Sequence, residues 1–125
     1  MTLWLIRAGS RGEHEQKFLD EGKVYVAWEG LNVDLMQLAD RQALIQAMEQ
    51  RYPDEKPRGL INWSSQMWSF GREMTAGDWV VMPSKMQSGL YFGELKGAYN
   101  YAATGPDPYY HWRQIDWFSG LIPRS

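Results

Sequence analysis

The chain contains no cysteine. That excludes disulfides, thiolate nucleophiles and cysteine-based zinc sites together. It has two histidines, His14 and His111, far apart in sequence. No His-x-x-x-His or Glu-x-x-His pair exists, so a metal site lacks its usual ligands. There is no Gly-x-Ser-x-Gly elbow and no phosphate-cradling glycine loop. The longest apolar runs are only a few residues, so no membrane-spanning segment is expected. Met1 to Ile6 is too short for a signal sequence and has no basic flank, which predicts a cytoplasmic location. Charge of one sign is also missing. Thirteen basic residues stand against 15 acidic ones, for a net charge of -2. A protein that grips DNA mainly through a basic face is disfavoured. The 125 residues predict a single domain over 1–125. What is abundant is aromatic: seven Trp and seven Tyr. Such rings fill a core or build a stacking pocket, and composition does not choose between these.

The pattern along the chain predicts a strand over Thr2–Ala8, ended by Gly9-Ser10. Ser10-Arg11-Gly12-Glu13 matches a capping box for a solvated helix over about Arg11–Glu21, stopped by Gly22. Val24–Trp28 is rich in β-formers. Asp40 caps a helix over about Arg41–Arg51, with Leu44, Ile45, Met48 and Tyr52 on one face. A third helix is expected over Arg58–Met74. Trp63, Met67, Phe70 and Met74 form its stripe, and Ser64 and Gly71 are small notches for a close approach. Trp79–Met82 is apolar throughout, which predicts a strand covered on both sides. Leu90–Leu95 forms its hairpin partner, and Tyr109–Phe118 a last strand. About five strands and three helices without a βαβ rhythm make an α+β protein with a small, largely antiparallel sheet or barrel.

One enzymatic pattern is present. Asp78 precedes a strand, and Glu94-Leu95-Lys96 lies on the next. An acid followed by Glu-x-Lys is the outline of a metal-dependent nuclease, in which two carboxylates hold Mg²⁺ and the lysine orients water. Asp after Gly77 is equally the residue a tight turn wants.

A longer run of residues carries a resemblance. Asn62-Trp63, Gln66-x-Trp68-x-Phe70 and Glu73-Met74-x-Ala76-Gly77-Asp78-Trp79-Val80-Val81-Met82-Pro83-Ser84-Lys85, then Gly89 to Gly97, resemble EVE-type domains. These belong to the PUA-like barrel superfamily, which includes the YTH readers. Leu3-Trp4-Leu5-Ile6-Arg7-Ala8-Gly9, Gly12-Glu13-His14-Glu15, Trp28-Glu29, Tyr52-Pro53 and Ile122-Pro123-Arg124-Ser125 resemble the N-terminal domain of Mrr-like, modification-dependent restriction endonucleases. The resemblance implies a small PUA-like (EVE-like) β-barrel that flips a modified base into an aromatic pocket. In a restriction setting the base is 5-methyl- or 5-hydroxymethylcytosine in DNA. It implies a fused or associated nuclease domain as partner, no membrane, and no enzymatic activity, metal or cofactor in this chain. A metal-dependent nuclease using Asp78, Glu94 and Lys96, or a reader of modified RNA, are the alternatives.

By the same resemblance, the base pocket draws on Ala8, Trp28, Glu29, Asn62, Trp63, Ser64, Gln66, Trp68, Pro83 and Ser84. Trp63 and Trp68 are about 140° apart around a helix, so at most one lines the pocket. Trp63 shares the core stripe, which leaves Trp68 as the better cage candidate. Asn62 and Gln66 share a face and can offer donor and acceptor together. Glu29 can accept from a cytosine amine. Arg7, Arg11 and Lys85 are candidates for phosphate contacts, with apolar Met86 at the loop tip as a wedge. Trp4, Trp79, Trp112 and Trp117 lie in strands, where burial suffices to explain them. Extruding a base costs a few kcal/mol. One stacked ring returns on the order of 1–3 kcal/mol. Two rings plus edge hydrogen bonds are therefore expected.

Overall fold

The computed structural model describes residues 1–123; Arg124 and Ser125, quoted in the resemblance above, lie outside the described residues. The chain is α+β. Its strands are β1 (Leu3–Leu5), β2 (Lys23–Val26), β3 (Trp79–Pro83), β4 (Gly89–Leu95), β5 (Asn100–Tyr101), β6 (His111–Trp117) and β7 (Ile122–Pro123). Its helices are α1 (Glu15–Glu21), α2 (Arg41–Arg51) and α3 (Pro57–Trp68). Five strands form the main path of one sheet in the order β1-β3-β4-β6-β2, and the two-residue strands β5 and β7 add to β6 and β4. The chain divides into two compact units.

The first unit comprises Met1–Tyr25, Thr75–Ala98 and the residues from Trp112 on. β1 runs parallel to β3, with Leu3 beside Trp79 and Leu5 beside Val81. The β3–β4 hairpin is antiparallel and places Trp79 opposite Glu94. Alternation gives the sheet one buried face, with Val80, Met82, Leu95 and Ile115, over which Phe18 of α1 is fully enclosed. β3 is thus covered on one side only, not two: Trp79 is exposed and Val81 half-buried.

The helix α1 begins later than expected. Gly12 adopts a φ of 74°, a left-handed conformation that a helix cannot continue through. Glu13 Oε1 accepts from the Arg11 amide at 2.9 Å, closing a local turn rather than a capping box on Ser10. Gly22 then ends α1 in the left-handed conformation, as its sequence position predicts.

The second unit comprises Val26–Met74 and Tyr99–His111. Asp40 caps α2 by accepting from the Ala43 amide at 2.9 Å. Pro57 opens α3 where its missing N–H costs nothing. The expected third helix is shorter than its apolar stripe. After Trp68 it widens into a π turn over Ser69–Glu73, closed by Met74 N–H to Ser69 O at 2.9 Å. The core is Leu31, Leu35, Leu44, Met48, Leu60 and Met67. The notch at Gly71 is filled by Leu35: a Cβ there would sit 1.8 Å from Leu35 Cδ2.

The strand tryptophans are not core residues, contrary to expectation. All seven Trp are described, and none is fully buried. Trp4 and Trp117 are half-buried, and each spends its indole N–H on a hydrogen bond, to Asp78 Oδ2 at 2.9 Å and to Phe18 O at 3.0 Å. Trp112 lies under the Lys23 ammonium at 4.2 Å, and Trp79 leans on Phe118 at 4.9 Å. Short strands with one open face leave a ring of this size no place for full enclosure.

Candidate functional site

The second unit assembles an aromatic cluster. Trp28 follows β2 and meets Trp63 of α3 with ring centroids 6.3 Å apart and planes tilted by 41°. Tyr52, just past α2, meets Trp63 edge-on at 5.4 Å. All three rings are half-buried against the core. Tyr52 is pinned by its hydroxyl, which donates to Glu29 O at 2.8 Å, and burial pushes that phenol up to about 12. Arg51 holds the neighbouring turn through Gly30 O at 3.2 Å, and Asp107 accepts from the Gly30 amide at 2.6 Å. The backbone around exposed Glu29 is therefore fixed from three directions.

The other residues of the expected pocket are divided between the two units. Asn62 and Gln66 are both exposed on α3. Ser64 is fully buried, and its hydroxyl donates to Ile61 O at 2.9 Å, so it serves as a packing notch. Trp68 does not join the cluster by any ring contact with Trp28; its ring carries the Arg72 guanidinium at 4.7 Å. Trp63 is the ring that Trp28 reaches. Helical spacing correctly separates Trp63 from Trp68, but it carries no information about which side Trp28 approaches. Beside Tyr52, an open cleft of about 560 Å³ lies along α2 and α3, lined by Gln42, Ile45, Glu49, Glu55 and Ile61 among others. Its two carboxylates disfavour a phosphate there.

In the first unit, Pro83 ends β3 and Ser84 follows it, whereas Ala8 lies three residues past β1, which stops at Leu5 short of the expected Thr2–Ala8 strand. Ala8 is buried, and its carbonyl accepts from the His14 amide at 3.0 Å. Pro83 is half-buried and pairs with Leu90. Ser84 is committed internally. Its hydroxyl donates to Glu15 Oε2 at 2.9 Å and accepts from the Met86 and Gln87 amides at 3.2 and 3.1 Å. One proton and two lone pairs are all a hydroxyl has, so none remains for a base edge. Glu15 Oε1 also accepts from the Lys85 amide at 3.1 Å. The β3–β4 loop is thereby fastened to the start of α1. Gly12 lies against it so closely that a Cβ would meet Lys85 Cβ at 2.6 Å. Arg11 and Lys85 are brought to neighbouring loops, both exposed, and Met86 is 70% exposed. Arg7 is exposed past the end of β1.

The nuclease outline is not assembled. Asp78 is buried, and its carboxylate accepts from the Thr2 amide at 3.1 Å, the Trp4 indole at 2.9 Å and the Thr75 amide at 3.0 Å. Burial opposes its ionisation, but these bonds outweigh that and hold the carboxyl down to about 2. Glu94 pairs with Trp79, the residue after Asp78, so the two acids take opposite faces of the sheet. Glu94 instead binds Lys96 at 2.6 Å. Among the described residues, no three His, Asp or Glu side chains group as metal ligands would.

Comparison with known proteins adds one relationship. The family described as "Domain of unknown function (DUF8426)" matches residues 4–124. The chain belongs to the DUF8426 family. No curated protein and no solved structure matches it.

Two features of this DUF8426 domain escaped sequence reasoning. Glu15 reads as a first-turn acid on a solvated helix, yet it is buried. Its burial is readable only once the hairpin loop lies over it. The other is a network around His111. Its Nε2 lies 2.7 Å from Leu31 O, an acceptor, so Nε2 carries the proton. Nδ1 then accepts from the Tyr99 hydroxyl at 2.7 Å, which itself accepts from the Leu35 amide at 3.2 Å. Tyr99 and Tyr101 each stack on the imidazole at 5.8 Å. Burial lowers the pKa of His111, so the ring is neutral. This is a satisfied structural histidine.

Proposed function

We propose that this DUF8426 domain is a nucleic-acid-binding module that reads a modified base, with 5-methyl- or 5-hydroxymethylcytosine in DNA as its target. The observation that carries the proposal is the state of the tryptophans. Seven are present and none is fully buried, while Leu, Met, Val and Phe build the core. Half-exposed rings held on fixed backbone are stacking platforms. Trp28 and Trp63, steadied by Tyr52, form the platform in this reading. Because they already touch, the flipped base stacks on the pair rather than between its members. Asn62, Gln66 and Glu29 supply edge hydrogen bonds, donor and acceptor from the amides and acceptor from the carboxylate.

A single stacked face roughly balances the cost of extrusion. Phosphate contacts by Arg7, Arg11 and Lys85 supply part of the remainder. A net charge of -2 keeps that part modest. In the same proposal, the sheet and its helices follow the plan of a small PUA-like barrel of the EVE type. The motif resemblance supports it, as does the small, largely antiparallel sheet. On that reading the domain gives specificity to a cytoplasmic restriction system, and a fused or associated nuclease does the cutting. The commitment of the Asp78 carboxylate to three N–H groups argues against Asp78, Glu94 and Lys96 acting as a nuclease here.

The test is fluorescence anisotropy with duplexes that carry plain, 5-methyl- or 5-hydroxymethylcytosine, and with N6-methyladenine RNA as competitor. Preference for a modified-cytosine duplex is the expected result. Equal binding to modified and plain oligonucleotides sinks the proposal, and preference for the RNA moves it to the RNA reading.

A further inference from the structure

The register of the first unit leaves one face of the sheet outward. On it stand Leu3 beside Trp79 beside Glu94, then Leu5 beside Val81 beside Phe92, then Pro83 beside Leu90 beside Ile122. Phe118 joins by packing on Trp79 at 4.9 Å. An outward sheet face in water is normally polar at these positions. Here Leu3 is 54%, Leu5 56%, Trp79 38%, Phe118 48% and Ile122 44% exposed. At about 200 Å² per large side chain, those fractions amount to roughly 500 Å² of apolar surface. That lies in the upper part of the range for the largest patch on a typical monomer, which is often functional.

We propose that this face is a docking surface for a second copy of the same chain, sheet face on sheet face about a two-fold axis. Three observations choose this occupant. The charges in these rows do not call for a charged partner, because Glu94 is already bound to Lys96 at 2.6 Å and Asp116 lies beyond Glu94, on the side away from Trp79. The partner surface that suits a neutral apolar patch is another such patch, and a two-fold axis supplies one of identical shape. Addition of a peptide strand at the edge is a poor alternative. β1 is only three residues long, and so short an edge offers few backbone groups. Area also fits: two copies together cover about 1,000 Å², the lower bound of a specific interface. Inner faces of stacked sheets interdigitate at about 10 Å, within reach of Trp79 and Phe118. The dimer is therefore weak and reversible. Its residues are separate from those of the aromatic platform, so it stands or falls independently of base recognition.

Sedimentation equilibrium of the purified chain from about 5 to about 500 µM, spanning the dissociation constants of weak complexes, tests it. The expected average mass rises from 14.6 kDa towards about twice that value with concentration. Leu5→Lys and Phe118→Lys, both on exposed positions, should each hold the mass at the monomer value while circular dichroism stays unchanged. Gln46→Lys on α2 should leave the dimer intact. If Leu5→Lys fails to fold, Leu3→Lys replaces it. A monomer at every concentration overturns the proposal, as does a dimer that survives both sheet substitutions.

Discussion

Trp28 and Trp63 touch, with ring centroids 6.3 Å apart and planes tilted by 41°, although one follows a strand and the other lies in a helix. That contact fixes the geometry available to a ligand. No gap for a base lies between the rings, so under the proposed function a base stacks on their outward surface, and each ring orients the other. Replacing Trp28 with Ala removes both a stacking surface and a support. The expected loss is on the order of 1–3 kcal/mol of binding, or about 5- to 150-fold. Trp68→Ala should change affinity far less. Titration of both variants with modified duplex checks the order. An equal loss in the two would place the platform elsewhere.

The loop cations have a distinct signature. Arg11 and Lys85 sit on loops that Gly12 packs together. If both meet phosphates, Arg11→Ala with Lys85→Ala should weaken plain and modified duplexes alike and reduce the slope of log K against log salt by about 2. Trp28→Ala should leave that slope unchanged. Affinities measured across a salt series separate the two effects. A slope unmoved by the double variant removes these residues from the interface.

Much of the fold is legible in the sequence because its signals are local. Asp40 before an apolar stripe and Gly22 at a helix end each act within one turn, and each is found where its chemistry puts it. The failures are long-range. Ser10 to Glu13 satisfies the spelling of a capping box, but Gly12 is held in the left-handed region, with Lys85 packed against it. Ser84 reads as a base contact, but Glu15 and two amides occupy its hydroxyl. Helix periodicity separated Trp63 from Trp68, and only the path of Trp28 selects Trp63. No windowed reading of the chain contains such partners.

The Glu15–Ser84 bond predicts how the hairpin loop loosens. Ser84→Ala removes one donor and two accepted bonds and leaves a buried carboxylate short of a partner. The expected cost is about 1–3 kcal/mol. Amide hydrogen exchange at Met86 and Gln87 should accelerate more than at Val80 in the strand. Uniform acceleration across the hairpin would show that Ser84 supports global stability rather than the loop.

Asp78 predicts a marker of acid sensitivity. Its folded pKa, about 2, lies below the ordinary carboxylate value of 3.8. The unfolded chain therefore binds the proton first. Stability from this group is fully present above about pH 4 and is lost as pH falls towards 2. Discounted for solvent screening, its size is on the order of 1–2 kcal/mol. Asp78→Asn should lower stability at pH 7 and flatten the dependence between pH 4 and 2. Denaturant titrations at several pH values measure both. An unchanged acid limb would mean that the Thr2, Trp4 and Thr75 bonds do not favour the ionised form.

His111 predicts a second pH window, higher than that of Asp78. Burial lowers its pKa below the ordinary 6.5, while donation to Leu31 O opposes the shift. The unfolded chain protonates first here as well, so stability from neutral His111 is present above about pH 6.5 and declines as pH falls below it. The tautomer is determined by the partners: the carbonyl of Leu31 requires a proton on Nε2, and the Tyr99 hydroxyl then donates to Nδ1. Nitrogen chemical shifts of the imidazole should report the Nε2–H form at neutral pH and a protonation midpoint below 6.5. Tyr99→Phe removes that donor and the acceptor for the Leu35 amide together. Its expected cost is about 1–3 kcal/mol. A His111 that titrates at its ordinary value would mean that the ring is hydrated, and would remove both the pH window and the Tyr99 effect.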